Sequence, residues 1–188
     1  MKSIPSDKLP RIIKAKNILQ KALNIKISFE NSNTVIDGSP EDEYVAEKVI
    51  DALNMGFPLS EALLLTKEEN MFEIINIKHH TKSKTLERIR ARIIGAKGGT
   101  LRTLTDLTHS FFQIKGNEIG IISTAEEMPT IHDAITNLIH GSKHANVYSM
   151  LEHQKPIPVF DLGLKEPKKP KKKKAKKEKD TEEKEDDN

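Results

Sequence analysis

The chain has 188 residues, 31 Lys+Arg against 28 Asp+Glu, and no cysteine, which excludes a disulfide framework and a thiolate metal site and fits a reducing cytoplasm. No apolar run is long enough to span a bilayer, and the opening MKSIPSDKLPR has no apolar signal core. The net charge of +3 is unevenly placed: residues 1–164 balance at 20 and 20, residues 165–188 hold 11 lysines and 8 acids, and residues 78–102 set eight basic side chains against Glu87. Charge gathered in this way points to a polyanion, most often nucleic acid.

In chain order, a short strand is predicted at 2–4, helices near 6–13 and 17–23, strands at 25–30 and 34–37, and a helix at 40–55. Ser39 caps that last helix with Asp42 three residues on, and Ala46, Val49, Ile50 and Leu53 form its apolar stripe. A helix at 58–66 closes a first module, 1–67. The second, 68–154, opens on MFEIINI (71–77), a strand by its β-branched and aromatic content. KSKTLERIRAR (82–92) is a helix, and GTLRTLTDLT (99–108) is another, with Leu101, Leu104 and Leu107 on one side. Between them lies a glycine-rich elbow. SFFQIK (110–115) and EIGIIST (118–124) make a hairpin around Gly116 and Asn117. A helix at 125–140 takes Thr124 as cap with Glu127 three residues on, its regular hydrogen bonding starting near Pro129, and 142–154 closes the module. KPIPVFDLGL (155–164) reads as an extended linker, because its prolines disfavour helix. The Lys-rich then acidic stretch 165–188 is predicted to be a disordered tail, with too few apolar residues to offset the entropy of ordering. The plan is α+β, a small sheet covered by helices in each module.

The two modules look like a duplication. RIIKAKN at 11–17 lies over RIIGAKG at 92–98, an offset of 81, and further on the offset is 85. Ala46, Val49, Ile50 and Leu53 then match Ile131, Ala134, Ile135 and Leu138. The first module has Lys14 and Asn17 where the second has Gly95 and Gly98, so its loop is degenerate. Asn17 tolerates left-handed geometry, which would preserve the turn.

Glycine in an elbow costs stability, so the backbone conformation or a close ligand must require it. An elbow without Cβ atoms lets a sugar-phosphate backbone approach, and the following helix offers free N–H groups and positive dipole charge. Lys97 sits in the elbow, and Lys84, Arg88 and Arg92 recur every four residues on the helix before it. Ile93, Ile94 and a side chain of FFQI could line an apolar groove for bases, an arrangement suited to single strands. Arg102 either joins this phosphate rim or pairs with Asp106 at i+4. Phe111 and Phe112 alternate across the sheet, so at most one reaches the groove. His140 and His144 are four apart, but Gly141 interrupts them and no acid completes a ligand set; surface or packing roles suit the seven histidines better than a metal. GAKGGT lacks the Gly-Lys-Ser/Thr ending of a P-loop, and no Ser/His/Asp set or paired carboxylates stand at usable spacing. The chain is read as neither an enzyme nor a cofactor carrier.

IIGAKG in this frame resembles the GxxG loop of a type I KH domain, β-α-α-β-β-α. MGFPLSEALLL, LERIRARIIGAKGGTLRTLTDLT and HGSKHANVYSMLE resemble the tandem-KH ribosome-assembly proteins of archaea and eukaryotes, the Krr/Dim family, also called partner of Nob. A lone GxxG says little; combined with the Arg-rich helix and the later Gly141, His144 and Tyr148, it is more specific. The resemblance implies two tandem type I KH modules ahead of the charged tail, with Gly95, Ala96, Lys97 and Gly98 as the phosphate loop and Ile93 and Ile94 beside it. It further implies binding of single-stranded small-subunit ribosomal RNA near its 3′ end, in subunit assembly and rRNA 3′-end processing. Implied partners are a Nob-type PIN-domain endonuclease and the α subunit of translation initiation factor two. The compact length suggests an archaeal form and a cytoplasmic place, or a nuclear or nucleolar one in a eukaryote. The alternative is a protein-interaction scaffold with little RNA binding, whose degenerate first loop fits a docking role.

Overall fold

The computed structural model describes residues 2–30, 33–82 and 85–154. Lys84, the 155–164 linker and the 165–188 tail lie outside them. Strand β1 (Lys2–Pro5) leads into helix α1 (Leu9–Leu23), followed by β2 (Lys26–Glu30), β3 (Asn33–Asp37) and helix α2 (Pro40–Met55). A one-turn helix α3 (Leu59–Ala62) and a 3-10 turn (Leu63–Thr66) complete the first half. The second half runs β4 (Asn70–Asn76), a short helix α4 (Ile77–His80), α5 (Leu86–Ile94), a 3-10 turn (Ala96–Gly98), α6 (Gly99–Thr108), β5 (Phe111–Lys115), β6 (Glu118–Thr124), α7 (Met128–Ile139) and α8 (His144–Gln154). Each half holds a three-stranded antiparallel sheet, of order β1-β3-β2 and β4-β6-β5, so the strand plan repeats. The halves belong to one compact unit, Met1–Lys155. Among the described residues no helix is long and apolar enough to cross a membrane.

Two expectations are corrected. The first half has one helix where two were predicted: α1 runs unbroken through 14–17, with Lys14 and Asn17 on its exposed face. Ile12, Ala15, Leu19 and Leu23 keep their three- and four-residue spacing and are all buried, and no residue at 14–17 takes a positive φ. The degenerate loop is therefore not a loop, and the first half reads β-α-β-β-α. The second correction is the cap of α7. Ser39 caps α2 as expected, its hydroxyl accepting from the Asp42 N–H at 3.2 Å, but Thr124 is still strand and α7 starts at Met128.

The matched positions of the two halves are buried alike. Ile12 and Ile93 are both fully buried while their neighbours Ile13 and Ile94 are exposed, and both helical stripes are buried throughout. The second sheet is covered on both faces. Ile75, Ile119, Ile121, Phe112 and Ile114 face α5–α8. Phe72, Phe111 and Ile122 point the other way, into the core of the first half. Phe111 and Phe112 thus pack on opposite faces and both are half-buried. Phe57, just past α2, is fully buried edge-on to Phe72 with ring centroids 6.1 Å apart. It lies over Gly120, where a Cβ would stand 2.8 Å from the Phe57 ring and 3.2 Å from the Met55 methyl.

Phe57→Ala should lower the unfolding free energy by about 3–5 kcal/mol, the usual cost of emptying an aromatic core site. Gly120→Val should cost about 1–3 kcal/mol by overpacking the same contact. Urea unfolding of the two variants checks both values.

Candidate nucleic-acid interface

Helix α5 ends because three of the next four residues take positive φ. Gly95 (φ 72°, ψ 174°) lies in a region essentially reserved for glycine, and Lys97 (φ 52°) and Gly98 (φ 76°) are left-handed. The elbow is closed by hydrogen bonds from Gly95 N to Ala91 O at 2.9 Å and from Gly98 N to Gly95 O at 3.2 Å. The buried side chain of Thr100 lies against Gly95; a Cβ there would stand 2.7 Å from the Thr100 nitrogen and 2.9 Å from its Cβ. Gly98, in contrast, faces open space. Left-handed backbone at Lys97 costs about 1–2 kcal/mol for a residue with a side chain. It leaves both Lys97 and Ala96 exposed. Helix α6 then starts with ordinary helical geometry at Gly99 (φ −60°), and its first-turn N–H groups have no acceptor within the helix.

The expected site residues divide by what they touch. Arg88, Lys97 and Arg102 are exposed and have no hydrogen-bond or ion-pair partner among the described residues. Arg102 does not pair with Asp106. Ile94 is 36% exposed beside the elbow. Ile93 is not at the groove surface: it is fully buried in the second core, because it continues the inward stripe of Leu86 and Ile89.

Arg92 is also used inside the fold. Its guanidinium donates to Gly141 O at 3.1 Å and to the carbonyl of Ser142, and His144 Nε2 donates to the Arg92 carbonyl at 3.1 Å. The His144 ring lies 6.1 Å from that of Tyr148. Gly141, His144 and Tyr148, read in the sequence as markers, therefore build a clip between α5 and α8. Arg11 makes the equivalent bond in the first half, from Nη1 to Gly56 O at 2.9 Å. His140 likewise has a structural contact, donating to His80 O at 3.0 Å.

Arg90 was not singled out in the sequence. It donates to Gly116 O at 3.2 Å and approaches Glu87 at 3.7 Å, tying α5 to the β5–β6 turn. A shallow depression lined by Thr85, Leu86, Glu87, Arg88, Arg90 and Asn117 opens there. Its only sequence cue is two further residues of spacing from Arg88, which turns the side chain toward the hairpin. The site thus offers an elbow closed by backbone hydrogen bonds, three cations without a partner among the described residues, a helix amino terminus, and half-buried Leu101, Phe112 and Ile114 between the helices and β5.

Residues 71–156 match a family model described as the eukaryotic type KH-domain, KH-domain type I, drawn from the second KH domain of PNO1. The second half is a KH domain of the PNO1/Dim2 type. A KH domain-containing protein of Methanocaldococcus jannaschii is 27% identical over 163 residues, covering 81% of this chain and 72% of that protein. The RNA-binding protein pno-1 of Caenorhabditis elegans is 26% identical over 140 residues, covering 72% of this chain and 50% of the worm protein. The chain therefore spans about half the length of its eukaryotic relatives. Among solved structures, Dim2p from Pyrococcus horikoshii has a TM-score of 0.74 at 26% identity, covering 82% of this chain and 100% of that one. The a/eIF2alpha–aDim2p–rRNA complex of the same organism gives a TM-score of 0.73 at 27% identity, covering 81% and 92%.

Arg92→Ala is expected to lower stability by about 1–3 kcal/mol, since it strands two carbonyls. Arg88→Ala should stay within about 0.5 kcal/mol. Gly95→Ala should cost about 1–3 kcal/mol or more through strain and the Thr100 contact, and Gly98→Asn much less. Thermal unfolding of the four variants side by side checks the order.

Proposed function

We propose that this protein binds single-stranded RNA through the elbow and groove of its second half. The observation that carries the reading is the set of three exposed cations, Arg88, Lys97 and Arg102, without a partner among the described residues, around an elbow packed against Thr100 at Gly95. A phosphate at the elbow meets no Cβ at Gly98 and gains the amino terminus of α6. Arg92 and Ile93 act by holding this rim in place. The half-buried apolar surface beside it takes bases whose faces are free, which a duplex does not offer.

The target we propose is small-subunit ribosomal RNA near its 3′ end, with a role in subunit assembly and 3′-end processing and no catalysis of its own. The names of the relatives and the rRNA complex of Pyrococcus Dim2p support this reading. The same complex supports the α subunit of translation initiation factor two as a partner. A Nob-type endonuclease rests on the resemblance. The first half is a second KH-like module without an elbow, which braces the RNA-binding half through Phe57 and leaves the face of α1 without a phosphate loop.

Residues 1–164 should bind single-stranded RNA more tightly than duplex, with a log–log salt slope of about −0.7 per phosphate neutralised. Gly98→Asp should weaken that binding by about tenfold or more, because its carboxylate faces the phosphate. Asp tolerates left-handed geometry, so the fold should survive. Fluorescence anisotropy titration run beside thermal unfolding separates the outcomes. Equal affinity for duplex and single strand, or a flat salt response, would favour the scaffold reading.

A further inference from the structure

Strand β4 stands at an edge of its sheet, with β6 on one side and no strand on the other. The phase of its ladder shows which backbone groups face that open side. Ala125 N–H donates to Glu69 O at 3.0 Å and Ile77 N–H to Asn117 O at 2.9 Å, and both pairs continue the β4–β6 register. Met71, Glu73 and Ile75 therefore bond to β6, and the N–H and C=O of Phe72 and Ile74 point outward. Among the described residues nothing bonds to those outward groups. The chain covers only the start of the edge, where Asn70 donates from its N–H to Lys67 O at 3.1 Å and from its side-chain amide to Leu64 O at 2.9 Å. Edge strands are usually blunted by lysine, proline or a bulge. NMFEIIN has neither residue, its register is unbroken, and its one charge is Glu73.

The side chains beside this edge have a definite chemistry. Met71 and Ile74 are 43% and 44% exposed and stand on opposite faces of the strand. On the α7 side lies a groove of about 430 Å³, lined by Met71, Glu73, Met128, Pro129, His132 and Asp133. Asp133 is exposed without an ion-pair partner among the described residues, and Glu73 meets only the His132 ring, at 3.9 Å. An apolar floor with two acids is unsuited to a phosphate backbone and suits the stems and charges of lysine or arginine.

We propose that the outer edge of β4 and this groove dock an extended basic peptide of a partner protein, which adds a fourth strand to the sheet. Because side chains alternate along a strand, its basic residues turn to Glu73 and Asp133 and its apolar ones to the face of Ile74. A second copy of the chain is the poorer occupant. The two-fold antiparallel register that pairs Phe72 with Ile74 in both directions sets the two Glu73 carboxylates opposite each other, and like charges directly opposite are destabilising. This surface is separate from the elbow, and the inference does not rest on the RNA reading.

The test uses the full chain at physiological ionic strength and three fluorescein-labelled peptides of about ten residues, within the usual range of strand lengths. One alternates lysine and valine, one alternates glutamate and valine, and one carries the same lysines and valines in two blocks. The alternating lysine peptide should bind about tenfold or more tightly than either of the others. It should also slow amide exchange at Phe72 and Ile74. Ile74→Pro removes an outward N–H and leaves the bonds to β6 in place, a change that edge strands tolerate. It should weaken the alternating lysine peptide about tenfold, whereas Ile74→Val should bind like the wild type. Glu73→Gln should weaken the same peptide about two- to fivefold. Thermal unfolding of the variants runs beside the titrations, and if Ile74→Pro does not fold, Glu73→Gln and the exchange data decide. No binding of the alternating lysine peptide, equal binding of the block peptide, or unchanged exchange at Phe72 and Ile74 at saturation overturns the proposal. Exchange at these amides that is slow without peptide and quickens on dilution assigns the edge to a second copy and overturns it as well.

Discussion

Phe57 lies over Gly120 and edge-on to Phe72, on the face of the second sheet turned away from its own helices. A three-stranded sheet with one face in water is marginal, and burying apolar area on both faces changes that. Phe72, Phe111 and Ile122 leave the second sheet for the core of the first half, so the two halves share part of one core. That contact fixes β5, and β5 is the wall against which α5, the elbow and α6 are arranged. The first half matters to the site even though it lacks the elbow, because it removes the freedom of the strand beside the groove. The glycine at 120 is what permits the aromatic ring to come close enough.

Much of the second half was legible because its signals are local. Alternation in 118–124, the Gly116-Asn117 turn and the leucine spacing of 99–108 each act within a few residues, and the strands and α6 came out at or within a residue of their predicted bounds. The elbow was legible for the same reason, since three glycines in five residues are a direct statement about φ. The α1 helix was misread because a repeat was allowed to overrule the local pattern. RIIKAKN matches RIIGAKG in five of seven positions, but the two that differ are the ones that break a helix. Without glycine the three- and four-residue apolar spacing prevails, and the chain stays helical. The fate of Arg92 was illegible for the opposite reason. A basic residue on a basic helix reads as a solvated cation; its acceptors at 141 and 142 are some fifty residues away.

Those acceptors do leave a trace when the repeat is read a second time. Arg11 bonds to Gly56 O and Arg92 to Gly141 O. Each pair joins the Arg of the RII segment to the glycine that ends the long helix of its own half. A pairing that survives in both copies, one with an elbow and one without, cannot serve the elbow alone. It holds α1 against the end of α2 and α5 against the end of α7, and the buried isoleucine next to each Arg continues the same packing. The cluster of eight basic residues seen in the sequence is therefore mixed in purpose. Arg92 and Arg90 are committed to carbonyls, whereas Arg88, Lys97 and Arg102 are exposed without a partner among the described residues.

This division explains how one shared plan can give two surfaces. Strand order, helix stripe and Arg–Gly clip are common to both halves, and they are the parts that bury area or satisfy carbonyls. What differs lies between the clip and the next strand. Two glycines and four extra residues in the second half stop α5, turn the chain through left-handed geometry and restart it as α6. The cost is about a kcal/mol or more at Lys97 alone, with the close Gly95–Thr100 contact added. Nothing in the core requires that cost, because the first half shows the same layer closing over one continuous helix. A strained turn that packing does not need, beside cations without a partner among the described residues, is the feature on which the proposed role in binding a polyanion rests.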